Sequence, residues 1–162
     1  MKHSASDHTL PFTDFDGFER GLLPVIRHFI LSFTEPEKQA WQHAFTVATE
    51  RWGRDQGLVL AQMVFKVIKA TLYIRPRGLA FNDPFSVETR HELTCDEYAL
   101  LRMLHHMRRD ETPAARDALN ELTGGYPDAH LIQAGLTLAS QFPTNGAGPG
   151  QPARRPTLRV VP

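Results

Sequence analysis

Residues 57–73 read GLVLAQMVFKVIKATLY and belong to the most apolar stretch of the chain. Their polar side chains, Gln62, Lys66, Lys69 and Tyr73, follow one another at steps of four, three and four residues. At about 100° of rotation per residue of an α-helix, these four side chains share an arc of roughly 60°. The rest of the helix is predominantly apolar. We therefore predict a central third helix over residues 57–73, which is buried on nearly all sides and exposed to solvent along one narrow edge.

Further helices are predicted from apolar periodicity and from capping signals. Two capping boxes, TEPE at 34–37 and TCDE at 94–97, place a Thr hydroxyl and a Glu carboxylate where they satisfy the first NH groups of a helix. The first apolar pattern begins at Gly17, but Pro24 inside it also favours a later start, because proline is tolerated in a first turn. The expected helices span residues 17–33, 34–52, 57–73, 94–109, 112–124 and 127–142.

The segment 75–93 lacks helical periodicity and contains several turn-forming residues. A loop of this length is uncommon in a compact domain unless it has a role. Phe81, Phe85 and Val87 offer apolar side chains that can tie it to the core. We therefore expect a long but ordered loop.

The domain organisation follows from these assignments. Residues 1–16 are expected to be mostly irregular, and residues 143–162, rich in Pro and Gly, to form a disordered tail. Between them, residues 17–142 are predicted to form a single domain. The fold class is all-α, a compact bundle of about six helices.

Composition limits the function classes. Eighteen basic residues balance eighteen acidic ones, so no net charge attracts the chain to nucleic acid or to a membrane. Fourteen of the basic residues are Arg, which is typical of a GC-rich bacterial genome. The single cysteine excludes an internal disulfide, the N-terminus lacks a signal-peptide pattern, and Gln62, Lys66 and Lys69 interrupt the apolar stretch. These features favour a cytoplasmic protein that does not enter a membrane.

One candidate metal site combines His91, Cys95 and His105, with His106 adjacent. The spacing of His91 and Cys95 resembles a zinc-protease pattern, which needs both ligands on one helix. The predicted helix begins only at Thr94, so this geometry is not expected. The alternative is that Cys95 is a small buried residue and the histidines are surface groups. We expect no bound cofactor.

Cys95 is also a candidate reactive thiol, because the first turn of a helix lowers a cysteine pKa. The acidic residues Asp96 and Glu97 in the same turn oppose this effect. No glycine-framed catalytic motif surrounds the cysteine. The sequence therefore indicates no catalytic residue.

A local basic surface is the strongest candidate binding site. No acidic residue lies between Asp55 and Asp83, whereas several cations and an exposed tyrosine do. Such a surface could bind an acidic protein segment, a nucleic-acid backbone or another polyanion. The alternative is that the lysines only solvate the exposed edge of the third helix. The predicted patch comprises Arg51, Arg54, Lys66, Lys69, Tyr73, Arg75 and Arg77.

The N-terminal run 10–18 offers a second candidate contact. Phe12, Phe15 and Phe18 recur every three residues among acidic residues, as in peptides that dock into grooves of partner proteins. The alternative is that the segment folds back onto its own domain.

These observations favour a non-catalytic bacterial regulatory or adaptor protein that acts through contacts with another protein. The alternative function is a nucleic-acid-associated regulatory factor that uses the basic patch. A third hypothesis is a metal- or thiol-dependent protein centred on Cys95. Homo-oligomerisation is left open by the sequence.

Overall fold

The computed structural model describes residues 11–144, and this part of the chain is all-α and contains no strand. Two short 3-10 turns, Phe12–Asp14 and Pro36–Lys38, precede α1 and α2 respectively. The predictions for residues 1–10 and for the tail beyond residue 144 lie outside the described residues. The six helices are α1 (Gly17–Thr34), α2 (Trp41–Trp52), α3 (Arg54–Ile74), α4 (Cys95–Arg108), α5 (Thr112–Thr123) and α6 (Ala129–Gln141).

A capping box formed by Asp16 and Glu19, which was not among those predicted, starts α1. The carboxylate of Asp16 accepts a hydrogen bond from the backbone NH of Glu19 at 2.8 Å, and Glu19 accepts from the NH of Asp16 at 2.7 Å. The predicted start at Gly17 is therefore confirmed and the alternative start near Pro24 was wrong, since Pro24 lies inside the helix. The cap and the buried side chains on both sides of Pro24 outweigh the loss of one backbone NH.

The capping box at 34–37 does not start a helix. Thr34 is the last residue of α1, and its hydroxyl donates to the carbonyls of Ile30 and Leu31 at 3.2 Å. After the 3-10 turn and a left-handed Gln39, α2 begins at Trp41. A threonine hydroxyl can serve either end of a helix, and here the preceding helix uses it. The box at 94–97 starts α4 as predicted.

The most buried helix is α1, and this corrects the prediction that α3 is buried on nearly all sides. Residues 22–31 of α1 are buried except for Pro24, and the helix packs against α2, α3 and α4. The polar edge of α3 is exposed as predicted, but so are the apolar side chains of Leu58 and Val59. Apolar composition does not reveal which neighbours cover a helix end.

By length and composition alone, α3 could span a membrane, and 39% of that apolar segment is buried within the fold. Core helices of globular proteins satisfy the same criterion. Its contacts inside the fold are with α1, α2, α5 and α6.

The loop between α3 and α4 is ordered, and two of the three predicted attachments, through Phe81 and Phe85, are present. Leu79 and Leu93 are buried and Phe81 packs against the core. Phe85 is partly exposed but meets the ring of the buried His28 edge to face, with centroids 5.2 Å apart, whereas Val87 is exposed. Polar contacts provide the remaining attachment. Arg27 donates to backbone carbonyls of residues 89, 90 and 92, which lie in the second half of the loop.

Candidate interaction groove between α3 and α6

The exposed edge of α3 faces α6 across an open groove of about 900 Å³. Its floor is apolar, and its two walls differ in charge. The α3 wall carries Lys66 and Lys69, whereas the α6 wall carries uncharged polar side chains and, at the start of the helix, Asp128. The groove is lined by Phe33, Met63, Lys66, Lys69, Ala70, Leu72, Tyr73, Asp128, His130, Gln133, Ala134 and Thr137.

Aromatic packing positions one end of the groove. Phe33, at the end of α1, stacks on Phe65 with ring centroids 5.6 Å apart, and Phe65 meets the buried Phe29 edge to face. Phe33 is therefore held in place although it is exposed. Tyr73, 85% exposed, marks the other end. Met63 and Tyr73 are ten positions apart on α3, which makes the groove about 15 Å long, since an α-helix rises 1.5 Å per residue.

The two lysines of the groove are free of ion pairs within the described part of the chain. The acidic residue on the opposite wall, Asp128, is already used as the cap of α6, where its carboxylate accepts from the NH of Leu131 at 2.8 Å. The lysine charges are thus directed to solvent. An apolar floor beside two unpaired cations can bind a group that is both apolar and anionic.

The structure divides the predicted basic patch. It brings Lys66, Lys69 and Tyr73 together, but Arg75 is engaged elsewhere: its guanidinium makes two bonds to Asp96, at 2.8 and 3.0 Å, and one to the carbonyl of Leu122. This pairing fixes the end of α3 against α4 and α5.

The other arginines of the patch also lie apart from the groove. Arg51, on α2, donates to the carbonyl of Gly17 and lies over the Trp52 ring. Arg54 is at the first turn of α3, about 18 Å along the helix from Lys66. Arg77 is exposed in the loop that follows α3.

The phenylalanines near the N-terminus pack onto their own domain. Phe15 is 3% exposed and contacts the rings of Tyr98 and His105. Phe12 packs on the ring of His91, and Phe18 lies between Phe142 and the guanidinium of Arg108. The structure therefore agrees with the alternative prediction, in which this segment folds back onto its own domain. These three side chains do not form a free docking segment.

The candidate metal ligands have separate surroundings. His91 contacts Phe12, and His105 bonds to the buried carboxylate of Glu19. Cys95 is exposed, so the expectation of a buried cysteine was wrong; His105 lies about 15 Å further along α4. Between residues 11 and 144, no group of three or more His, Cys, Asp or Glu is arranged to hold a metal ion.

A charged cluster at the start of α1 has a structural role. Glu19 is fully buried and accepts from Arg108 at 3.0 Å and from Arg109 at 2.6 Å. Burial raises the pKa of Asp16, but bonds from the backbone NH of Glu19 and from Arg108 outweigh it and lower that pKa to about 2. Arg108 also donates to the carbonyl of Phe142. The cluster joins α1, α4 and the end of α6 and leaves its carboxylates fully paired.

The α6 wall is the part of the groove that sequence reasoning missed. Its residues carry no charge between Asp128 and the end of the helix, and the only signal in the sequence is that missing charge. Spacing along one helix cannot show which other helix faces it.

Comparison with known proteins found no matching protein-family model, no similar curated protein and no similar solved structure. The α3–α6 groove is therefore the feature of this protein that points to a function.

Proposed function

We propose that this protein is a non-catalytic adaptor whose α3–α6 groove binds an acidic amphipathic segment of a partner protein. The observation that carries the proposal is the pair of unpaired lysines, Lys66 and Lys69, along the edge of an apolar groove. As part of the same proposal, it is a cytoplasmic regulatory protein of bacterial origin.

The groove fits a short helical segment in length and chemistry. A length of about 15 Å corresponds to nearly three turns of an α-helix. An amphipathic helix places apolar side chains at positions i, i+3, i+4 and i+7 in such a groove. Acidic residues flanking those positions would lie opposite Lys66 and Lys69. Because both lysines are exposed in the free protein, pairing with carboxylates would act mainly on association rate and specificity.

A nucleic-acid partner is less well supported by the same geometry. Only two of the predicted cations line the groove, and Asp128 stands on the opposite wall. Affinity for a polyanion grows with the number of phosphates neutralised. The deep part of the groove is apolar and offers nothing to a phosphate.

The test uses a fluorescent amphipathic peptide with Leu at helical spacing and Glu at its polar positions, with the full chain as receptor. A matched peptide with Lys in place of Glu and a single-stranded oligonucleotide serve as the other probes. The double variant Lys66→Glu/Lys69→Glu is compared with Arg54→Glu/Arg77→Glu, which changes net charge equally outside the groove.

We expect fluorescence anisotropy to show binding of the acidic peptide, at least about tenfold weaker in the Lys66/Lys69 variant. The Arg54/Arg77 variant should bind within about twofold of the unchanged protein, since neither arginine lines the groove and exposed charges are screened by salt. Equal loss in both variants would mean nonspecific charge attraction. Oligonucleotide binding that falls steeply with salt, without peptide binding, would favour the nucleic-acid function instead.

A further inference from the structure

The exposed face of α6 is uncharged. From Ala129 to Gln141 the helix contains no Asp, Glu, Lys or Arg, whereas each of the other five described α-helices carries charges. Leu136 is 49% exposed in the middle of this face, beside exposed Gln133, Thr137 and Ser140. A single exposed leucine is ordinary on a protein surface, so this one is informative only together with the surface that adjoins it.

An apolar pocket of about 320 Å³ lies directly beside Leu136, between α4, α5 and α6. Its interior is formed by Met107, Ala115, Leu119 and Ile132, and Leu136 forms part of its wall. A protruding leucine and an apolar pocket thus share one surface. This arrangement is self-complementary, because a two-fold axis would place each Leu136 in the pocket of the other copy.

The rim of the pocket is also complementary to itself. It carries Arg116 together with Asp110 and Glu111. In the described part of the chain, Arg116 and Asp110 form no ion pair, while Glu111 bonds to His106. Across a two-fold axis, Arg116 of one copy can lie opposite Asp110 of the other. A face of a single charge would repel its own copy, whereas this rim carries both signs.

We infer that the α6 face and the adjoining pocket form the interface of a homodimer, with Leu136 as its central apolar contact. The interface leaves the two lysines of the α3–α6 groove outside it. Gln133 and Thr137 border both surfaces, but Leu136 does not line the groove and the two lysines do not line the pocket, so substitutions at these positions test the dimer and the proposed partner site separately.

The experiment is analytical ultracentrifugation of the full chain from about 1 µM to about 500 µM, the range in which a small interface associates. Leu136→Glu is compared with Val59→Glu. Val59 is 48% exposed, close to the 49% of Leu136, but lies on α3 away from the pocket. Far-UV circular dichroism of each variant checks that the helices are retained.

We expect a concentration-dependent dimer for the unchanged chain and for Val59→Glu. Leu136→Glu should weaken self-association by about thirtyfold or more, as loss of a central contact does. Arg116→Asp should also weaken it, and the swap Asp110→Arg/Arg116→Asp should restore it. A monomer at every concentration, or equal effects of the Leu136 and Val59 variants, would overturn the inference. Binding of the acidic peptide to folded Leu136→Glu should be unchanged, which separates this result from failure of the proposed function.

Discussion

Arg27 on α1 and Glu97 on α4 form a buried ion pair with two bonds, Nε to Oε1 at 2.7 Å and Nη2 to Oε2 at 3.0 Å. Their side chains are 3% and 0% exposed. Glu97 also accepts from the backbone NH groups of Asn82 and Thr94, while Arg27 donates to carbonyls of the same loop. The pair therefore attaches the 75–93 loop to the two helices at once.

Arg27→Met should lower the free energy of unfolding by about 3–5 kcal/mol, because it leaves the Glu97 carboxylate buried without its counter-charge. Urea denaturation measures this loss. Hydrogen exchange should show earlier opening of residues 79–93 than in the unchanged protein.

The control is Arg102→Met. Arg102 pairs with Glu121 at 3.3 Å, but the Glu121 side chain is 59% exposed. An exposed pair contributes about 0–1 kcal/mol. Similar losses in both variants would show that the buried pair is not the main attachment of the loop.

Stability should fall as the pH drops from 6.5 toward 4, through His28. Burial, and then the charge of His43, lower the pKa of His28 to about 4, although Asp83 acts in the opposite direction. Between pH 4 and 6.5 the unfolded chain binds a proton at His28 that the folded chain excludes. The contribution of His28 to the free energy of unfolding is therefore complete above pH 6.5 and is lost as the pH falls toward 4. This contribution is about 3 kcal/mol at most.

Replacing His28 by Phe should flatten this pH dependence, as measured by urea denaturation at pH 7.5 and at pH 5. The Nδ1 atom of His28 has no hydrogen-bond partner within the described part of the chain, so its removal leaves no new polar group unpaired. His130→Phe, at an exposed position, should retain the slope. Identical slopes in all three proteins would exclude His28 as the titrating group.

Gly57→Ala should destabilise the fold by about 1–3 kcal/mol, because an added methyl group would lie 2.5 Å from the backbone carbonyl oxygen of Ala48. The nearest atoms all belong to the backbone of Ala48 and Thr49, so no flexible side chain can move aside. Gly17→Ala is the matched control, since a Cβ there meets nothing within 4 Å. Thermal unfolding should separate the two variants, and equal melting temperatures would contradict the close packing of α2 on α3.

Cys95 should react with a thiol reagent at about the same rate in the folded protein and in urea, because the side chain is exposed. Cys95→Ser should change the free energy of unfolding by less than about 0.5 kcal/mol, as is usual for an exposed position. Strong protection of the thiol in the folded protein would show instead that the cysteine is covered.

Periodicity was a good predictor of local structure and a poor predictor of partners. The spacing of Gln62, Lys66 and Lys69 identified the wet edge of α3, and the 94–97 capping box identified the start of α4. The similar box at 34–37 failed because the Thr34 hydroxyl bonds backward to α1. The same Thr-x-x-Glu pattern therefore starts a helix at residue 94 and ends one at residue 34.

In the candidate site, too, local structure was predicted from the sequence but contacts between helices were not. Arg75 belongs to the predicted patch by position, but it pairs with Asp96, twenty-one residues later in the chain. The α6 wall of the groove carries no motif. Its role arises only because α6 packs against α3.

By itself, the sequence determined the all-α class, the helix-rich segments and the exposed edge of α3, because these depend on interactions over three or four residues. Only the tertiary structure decided that α1 is the most buried helix, that Arg27 pairs with Glu97, and that α6 closes the groove. Those features depend on contacts between distant residues, and the geometry of such contacts is set by the packing of the whole domain.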